Sequence, residues 1–408
     1  MFRLLRRFST STPIQNSTLR KNALTPNNMF RLLRRLSTST PIQNSTLRKN
    51  ALTGNWTIFA SGRSNRPKQT ASSVKSCQAD HPDHVESCPF CQGNEMKTPP
   101  ELLRISGSED HDWKLRVIPN AFPAVQPPSQ TWKDLWEANP TSHRFNSAIN
   151  QERDAIGFHE VVVETPIHNL VLATQPKSYV KRILHAWRER GRKLCESEPS
   201  LESILYFKNN GSVAGASLVH PHSQIVGLPL VGRDATIRRE SNLSYYENHG
   251  RSVWDVAIEE ELKMRDENPL HHRIVDENQL FISFVPFAAI SPFHVYIASK
   301  FDGAHFEEAS DAHIDQLAEI LSLALKRQHV VLGEPDYNLI LRTSPLRGRS
   351  TQSAYDADRF TRWHLVLTPR LGAGAMAGFE LGSGMFSNSN QPEQDAHDLR
   401  TANIEDLE

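Results

Sequence analysis

Residues 219–224 read VHPHSQ, directly behind the run FKNNGSVAGAS at 207–217. A proline with a locked φ holds His220 and His222 at a fixed spacing. On a strand, side chains two apart share a face but reach different depths. The pair can therefore divide its work, one imidazole holding a metal and the other attacking phosphorus. By itself the stretch also fits a core turn that happens to carry histidines, so its surroundings decide.

LESILYFKNNG (201–211) reads as a strand ending at glycine, and HSQIVGLPLV (222–231) as the strand that follows. GFHEVVVETPIH (157–168) carries the β-branched run of a strand. PKSYVKRILHAWRERGRKLCE (176–196) is an amphipathic helix and VWDVAIEEELKM (253–264) a second helix. NWTIFASGRSNRP (55–67) is a strand entering an arginine-bearing turn, and WKLRVIPNAFPAV (113–125) a strand ending in a Pro/Asn turn. Residues 127–154 read as an insertion without a clear period. A similar order then returns. QLFISFVPFAAISPFHVYIASK (279–300) is a strand pair, DAHIDQLAEILSLALKRQHVVLG (311–333) a long helix, and DYNLILRTSP (336–345) and RWHLVLTPRL (362–371) strands. A glycine-rich loop at 372–386 closes it. The recurrence predicts an internal duplication of an α+β unit.

The 46 basic and 46 acidic residues balance, which excludes a nucleic-acid or anionic-membrane partner held by bulk charge. No uncharged apolar run approaches the roughly 20 residues of a spanning helix. Four cysteines make no disulfide framework. Cys88 and Cys91, in CPFC, read as a metal or redox pair; Cys77 and Cys195 are isolated thiols. Residues 1–25 recur at 29–53 with one change, Phe8 to Leu36, too faithful for a structural repeat. Each copy sets apolar residues at i, i+3, i+4, i+7 against arginines, and no acid precedes Asp80. This predicts a mitochondrial presequence with the working start at Met29; the alternative is a disordered basic tail on a cytoplasmic protein.

Taken in order, LRKNALTGNWTIFASGRSNRP, CPFC, RVIPNAFPAV, FHEVVVETPIH, FKNNGSVAGASLVHPHSQ, VPFAAISPFHVYI and GFELGSG resemble the galactose-1-phosphate uridylyltransferase family of the histidine-triad superfamily. The resemblance spans roughly residues 47–387. WKLRVI, GFHEVVVE, AGAS and the serine of HSQ are similar to its plant ADP-glucose phosphorylase-like branch. It implies an α+β fold of duplicated histidine-triad-like halves, each an antiparallel sheet with helices, at 47–232 and 233–387. Residues 1–46 would be presequence and 388–408 an acidic polar tail.

The resemblance implies that His222 is the nucleophile towards the α-phosphorus of a nucleotide-diphosphate hexose and that Gln224 donates to a phosphoryl oxygen. Arg63, Arg66, Asn120, Asn209, Gly215 and Ser217 would bind substrate. Cys88, Cys91 and His220 would hold one structural zinc, with His168 the best match for the fourth ligand. His159 is the runner-up, and His81 and His84 lie close to the knuckle. A homodimer is expected, with arginines such as Arg63 and Arg66 reaching phosphates across the interface. The expected activity is UDP-glucose:hexose-1-phosphate uridylyl transfer, with ADP-glucose phosphorolysis as the alternative acting on phosphate. A nucleotide hydrolase and a non-catalytic nucleotide-binding module are the competing classes. PLRGRS (345–350) and GFELGSG (378–384) match the family's acceptor site.

Three departures stand out. Ser223 replaces a glycine beside the nucleophile. A second CxxC is missing near 245–254. Arg342 and Arg362 stand where relatives carry histidine, leaving Glu261 and His364 from a second metal set. No second metal is expected.

Overall fold

The computed structural model describes residues 45–66, 78–107, 112–127, 145–146, 149–198, 200–346, 357–371 and 377–407. The β-branched run becomes β7 (Phe158–Val163), a strand with a neighbour on each side. It belongs to an antiparallel sheet that also contains β3 (Leu103–Ser106), β4 (Trp113–Pro119), β8 (Ser203–Asn210) and β9 (His222–Leu228). The other five strands are β10 (Ile274–Glu277), β11 (Phe281–Phe284), β12 (Val295–Ser299), β13 (Tyr337–Arg342) and β14 (His364–Pro369). Their order is β10-β11-β12-β14-β13-β8-β9-β7-β4-β3. Read inward from either edge, the same pattern of five strands appears, and β8 and β13 join the two sets.

One helix crosses within each set, α1 (Lys177–Ser197) between β7 and β8 and α4 (Asp311–Leu332) between β12 and β13. On α1, Val180, Ile183, Leu184, Trp187 and Leu194 fall at helical spacing and are buried. They pack with Ile314, Leu317 and Leu321 of α4 and with alternate strand residues such as Val162, Ile225, Leu339 and Leu365. Gly191 lets α1 approach the sheet: a Cβ there would lie 1.9 Å from the Tyr206 hydroxyl. The Ser310 side chain caps α4 by accepting from the His313 N–H, and Gly333 ends it in the left-handed region at φ 64°.

A smaller sheet, order β2-β1-β6-β5, is built from β1 (Thr46–Lys49), β2 (Trp56–Phe59), β5 (Phe145–Asn146) and β6 (Gln151–Asp154). Its buried Leu47 packs against Val226 and Leu228 of β9. Three further helices, α2 (Arg233–His249), α3 (Val253–Glu267) and the short α5 (Gly378–Ser383), precede a last one, α6 (Pro392–Thr401).

Several sequence expectations change here. The described fold begins before Leu47: Ser45 and Thr46 are buried, and the Ser45 carbonyl accepts from the Ala155 N–H. Part of the insertion at 127–154 forms β6, which pairs with β1. Residues 378–383 of the closing loop are helical. The polar tail contains α6, whose Ala396 and Leu399 join the main core. Its buried Asp395 is paired, because its carboxylate accepts from the Phe293 N–H and from the Asn390 amide. Cys77, residues 347–350 of PLRGRS and the N-terminal repeat through Asn44 lie outside the described residues.

Candidate active site and metal centre

Strand alternation separates two sets of side chains on β7, β8 and β9. His159 and Val161, Phe207 and Asn209, and His222 and Gln224 line a cavity of about 620 Å³. Val162, Tyr206, Ser223 and Ile225 are buried on the other face, towards α1. Arg63, Arg66, Asn120, Gly215 and Ser217 line the same cavity. All eight residues read as catalytic or substrate-binding therefore share one space, sized for a small-molecule ligand.

His222 opens β9 and is itself buried. Its Nδ1 lies 2.8 Å from the His220 carbonyl, which can only accept, so the proton sits on Nδ1 and the lone pair on Nε2. Burial lowers the pKa of His222 below the ordinary imidazole value, with Lys208 a further cause. The ring is thus neutral and its free nitrogen is nucleophilic. Beneath it the Lys208 ammonium donates to Glu164 Oε2 at 2.7 Å and to the His222 carbonyl at 3.4 Å.

Gln224 accepts at Oε1 from His159, 2.8 Å away. Arg63 donates to the Phe122 carbonyl at 3.0 Å, and the neighbouring Arg66 helps lower its pKa after burial. Two guanidinium groups close together make an electropositive wall. Gly215 takes φ +92°, a conformation that turns the chain at the cavity edge and favours glycine. Asn338 of β13 holds this edge from the other half, its amide donating to Asn209 Oδ1 and to the Ala214 carbonyl, both at 2.9 Å. Sequence reading missed Asn338, because nothing in DYNLIL says which strand it will neighbour.

Behind His222, the ligand atoms of Cys88, Cys91, His168 and His220 lie within 4.8 Å of one another, and all four residues are buried. Cys91 Sγ is 3.5 Å from His168 Nδ1 and 3.6 Å from His220 Nδ1. His220 Nε2 donates to the Thr165 carbonyl at 2.8 Å, which leaves Nδ1 free for a metal. Burial drives the Cys88 thiol up to about 11, so thiolate character there calls for a cation. Two thiols and two imidazoles are a donor set for a tetrahedral ion. The Phe90 ring lies beside both histidines, with centroids 5.9 Å from His220 and 5.6 Å from His222, so the metal group and the cavity share a wall.

His159, a possible ligand on sequence grounds, is not in this group: it faces Gln224 and Asn120 on the cavity side. His81 stands at the edge, its ring centroid 6.3 Å from that of His168. Among the described residues no second group of three or more ligating side chains comes together. Glu261, read as a remnant of a second metal set, accepts instead from Arg273 at 2.7 Å. Arg362 is ion-paired with Asp255 at 2.6 Å and with Asp302. Arg342 and Arg238 both lower the pKa of His364, which burial takes to about 3.

Residues 35–231 match the family model described as galactose-1-phosphate uridyl transferase, N-terminal domain. The chain is 34% identical over 351 residues to the ADP-glucose phosphorylase of Arabidopsis thaliana, covering 86% of this chain and 90% of that one. It is 25% identical over 357 residues to a galactose-1-phosphate uridylyltransferase of Thermotoga maritima, covering 86% and 96%. The crystal structure of an Arabidopsis ADP-glucose phosphorylase with bound ADP-glucose superimposes with a TM-score of 0.64 at 32% identity, covering 89% of this chain and all of that one.

Proposed function

The chain belongs to the galactose-1-phosphate uridylyltransferase family, and we propose that it moves a nucleotidyl group from a nucleotide-diphosphate hexose to an acceptor through a covalent bond to His222. One observation carries this reading: a buried neutral imidazole whose Nδ1 proton is fixed by a backbone carbonyl, set in a cavity with two arginines in its wall. His222 Nε2 attacks the α-phosphorus and forms an N–P bond. The P–O bond to the sugar phosphate breaks, and hexose-1-phosphate leaves with the bridging oxygen. An oxygen of the acceptor then attacks phosphorus and breaks the N–P bond. Two moderate steps replace one difficult step. Gln224 and the arginines stabilise charge on the phosphoryl oxygens.

Two pairings of base and acceptor fit this chemistry: UDP-glucose with hexose-1-phosphate, and ADP-glucose with phosphate. The higher identity, 34% against 25%, favours the second. The test is turnover of both nucleotide sugars, each with hexose-1-phosphate, phosphate or no acceptor. Ping-pong kinetics and a nucleotidyl adduct on His222 by mass spectrometry are expected, and His222→Ala should lose transfer by several orders of magnitude. Full activity in that variant refutes the reading, and turnover without acceptor assigns hydrolysis instead.

Zinc fits the Cys88, Cys91, His168 and His220 group, where it would tie the CPFC turn to the segment that carries His222. The family resemblance also suggests a homodimer, which light scattering would read as about twice the 46.2 kDa chain. We propose mitochondrial targeting for the acid-free, arginine-faced stretch from Met29 to the start of the described fold at Ser45. A fluorescent fusion of residues 29–50 that stays diffuse in the cytoplasm would retire that assignment.

A further inference from the structure

We infer that His159 is a positioning residue that fixes which end of the Gln224 amide faces the reacting phosphoryl group. The inference rests on the nucleotidyl-transfer reading above and extends it to a residue whose first reading was a metal ligand. The placement is set by register. His159 on β7 stands opposite Val226 of β9, and so diagonally from Gln224 on the cavity face.

The direction of each hydrogen bond follows from one unambiguous donor. The backbone N–H of Ala124 points at His159 Nδ1 from 3.0 Å, so Nδ1 presents a lone pair. Burial, with Arg63 nearby, takes the ring down to about 4 and keeps it neutral. A neutral imidazole with its lone pair on Nδ1 carries its proton on Nε2. That proton is donated to Gln224 Oε1 at 2.8 Å. The oxygen of the amide is thereby turned to His159, and the NH2 group is left for the cavity that His222 lines.

This orientation matters because an unheld glutamine can turn its amide over. The reversed amide would set an oxygen against an anionic phosphoryl oxygen and repel it. Asn120 is fixed in a similar way. Its Oδ1 accepts from the Phe122 N–H at 2.8 Å, and its Nδ2 lies 3.1 Å from His159 Nε2. With the proton on Nε2 that approach sets donor against donor and is not a hydrogen bond, so the Asn120 N–H groups still need an acceptor, which an anion in the cavity would supply. One protonation choice on His159 thus leaves two amide donors available to an anion in the cavity.

Two measurements test this. Long-range ¹H–¹⁵N spectra of histidine-labelled protein should place the His159 proton on Nε2 at neutral pH; a proton on Nδ1 overturns the inference whatever the enzyme's activity. Kinetics on the preferred nucleotide sugar then use Gln224→Ala, His159→Leu, their double variant and His159→Gln. Loss of a single charge-stabilising donor costs on the order of 10²-fold in kcat, and His159→Leu should lose roughly 10- to 100-fold with little change in KM. The double variant should be no slower than Gln224→Ala. His159→Gln, whose amide can still donate to Oε1, should recover most of the rate. Multiplicative losses in the double variant, or a normal rate in His159→Leu, overturn the inference. If His159→Leu does not fold, His159→Ala, which likewise removes the donor to Oε1, with and without Gln224→Ala gives the same comparison. A wild-type protein that turns over no nucleotide sugar defeats the functional reading, while the spectrum still decides the orientation.

Discussion

Ser223, which follows the proposed nucleophile His222, is expected to act on stability and not on chemistry. Its side chain lies on the α1 side of the sheet, where the buried Trp187 Nε1–H donates to its hydroxyl at 3.0 Å. Both residues have no exposed surface. Ser223→Ala leaves that indole N–H without an acceptor in a dry core, which costs about 1–3 kcal/mol. Ser223→Gly adds the backbone cost of glycine in a strand, about 0.5–1 kcal/mol more. Wild type, alanine and glycine variants should therefore unfold in that order, at successively lower urea midpoints. Trp187→Phe removes the donor, so in that background the alanine change should cost about 1 kcal/mol less than in wild type. Nucleotidyl transfer should stay within about twofold, since the hydroxyl is turned away from the cavity. An alanine variant as stable as wild type, or one that is stable but has lost activity, would refute this account and put the hydroxyl in the active site.

Elemental analysis should find about one zinc per chain, and Cys91→Ser should lose it and melt well below wild type while the folded fraction keeps most of its rate. Lys208→Met strands the buried Glu164 carboxylate and should destabilise by about 3–5 kcal/mol; adding Glu164→Leu should recover much of that, and two additive losses would count against a coupled pair. His159 and His294 are both held near 4 by burial, below the 6.5 of an ordinary histidine. Between those values the unfolded chain binds more protons than the folded one, so each contributes stability above pH 6.5 that is lost on acidification at about 1.4 kcal/mol per pH unit. A thermal midpoint that stays flat from pH 6.5 to 4.5 would contradict that sign.

What could be read from sequence, and what could not, divides along physical lines. Elements with one apolar face announced themselves: α1, α4 and eight strands of the large sheet lie close to their expected bounds, while its two edge strands, β3 and β10, were not read. The helix α2 did not, because it buries no residue and so carries no periodic signal. Strands β1 and β6 read as polar because TLRK and QERD hold each other through charge, Arg48 facing Glu152 in register and bonding it at 2.9 Å. α6 passed for a tail because its buried acid, Asp395, looks like a solvated one until the Phe293 N–H and the Asn390 amide are found against it. The cavity residues were found through the resemblance of the motifs. The role of His159 was hidden for another reason. Alternation places it on a face, but only the pairing of β7 with β9 says that the neighbour on that face is Gln224.

The duplicated sheet gives this chain two comparable strand starts, and one difference separates them. His364 opens β14 as His222 opens β9, and its Nδ1 bonds the Arg362 carbonyl at 3.0 Å just as His222 bonds His220 at 2.8 Å. The backbone therefore fixes the same tautomer twice. Around His222 the rest of the fold supplies a cavity, a group of four possible metal ligands behind it and the Gln224 amide in the cavity wall. Around His364 it supplies a tryptophan ring at 4.5 Å and an arginine directly opposite in register, and the free Nε2 is buried without a partner. A nucleophile needs room for phosphorus at the end of its lone pair, and His364 Nε2 is closed in. The histidine and its carbonyl come with the repeated architecture; the cavity comes from residues that the two halves do not share, Gln224, His159 and Arg63 among them.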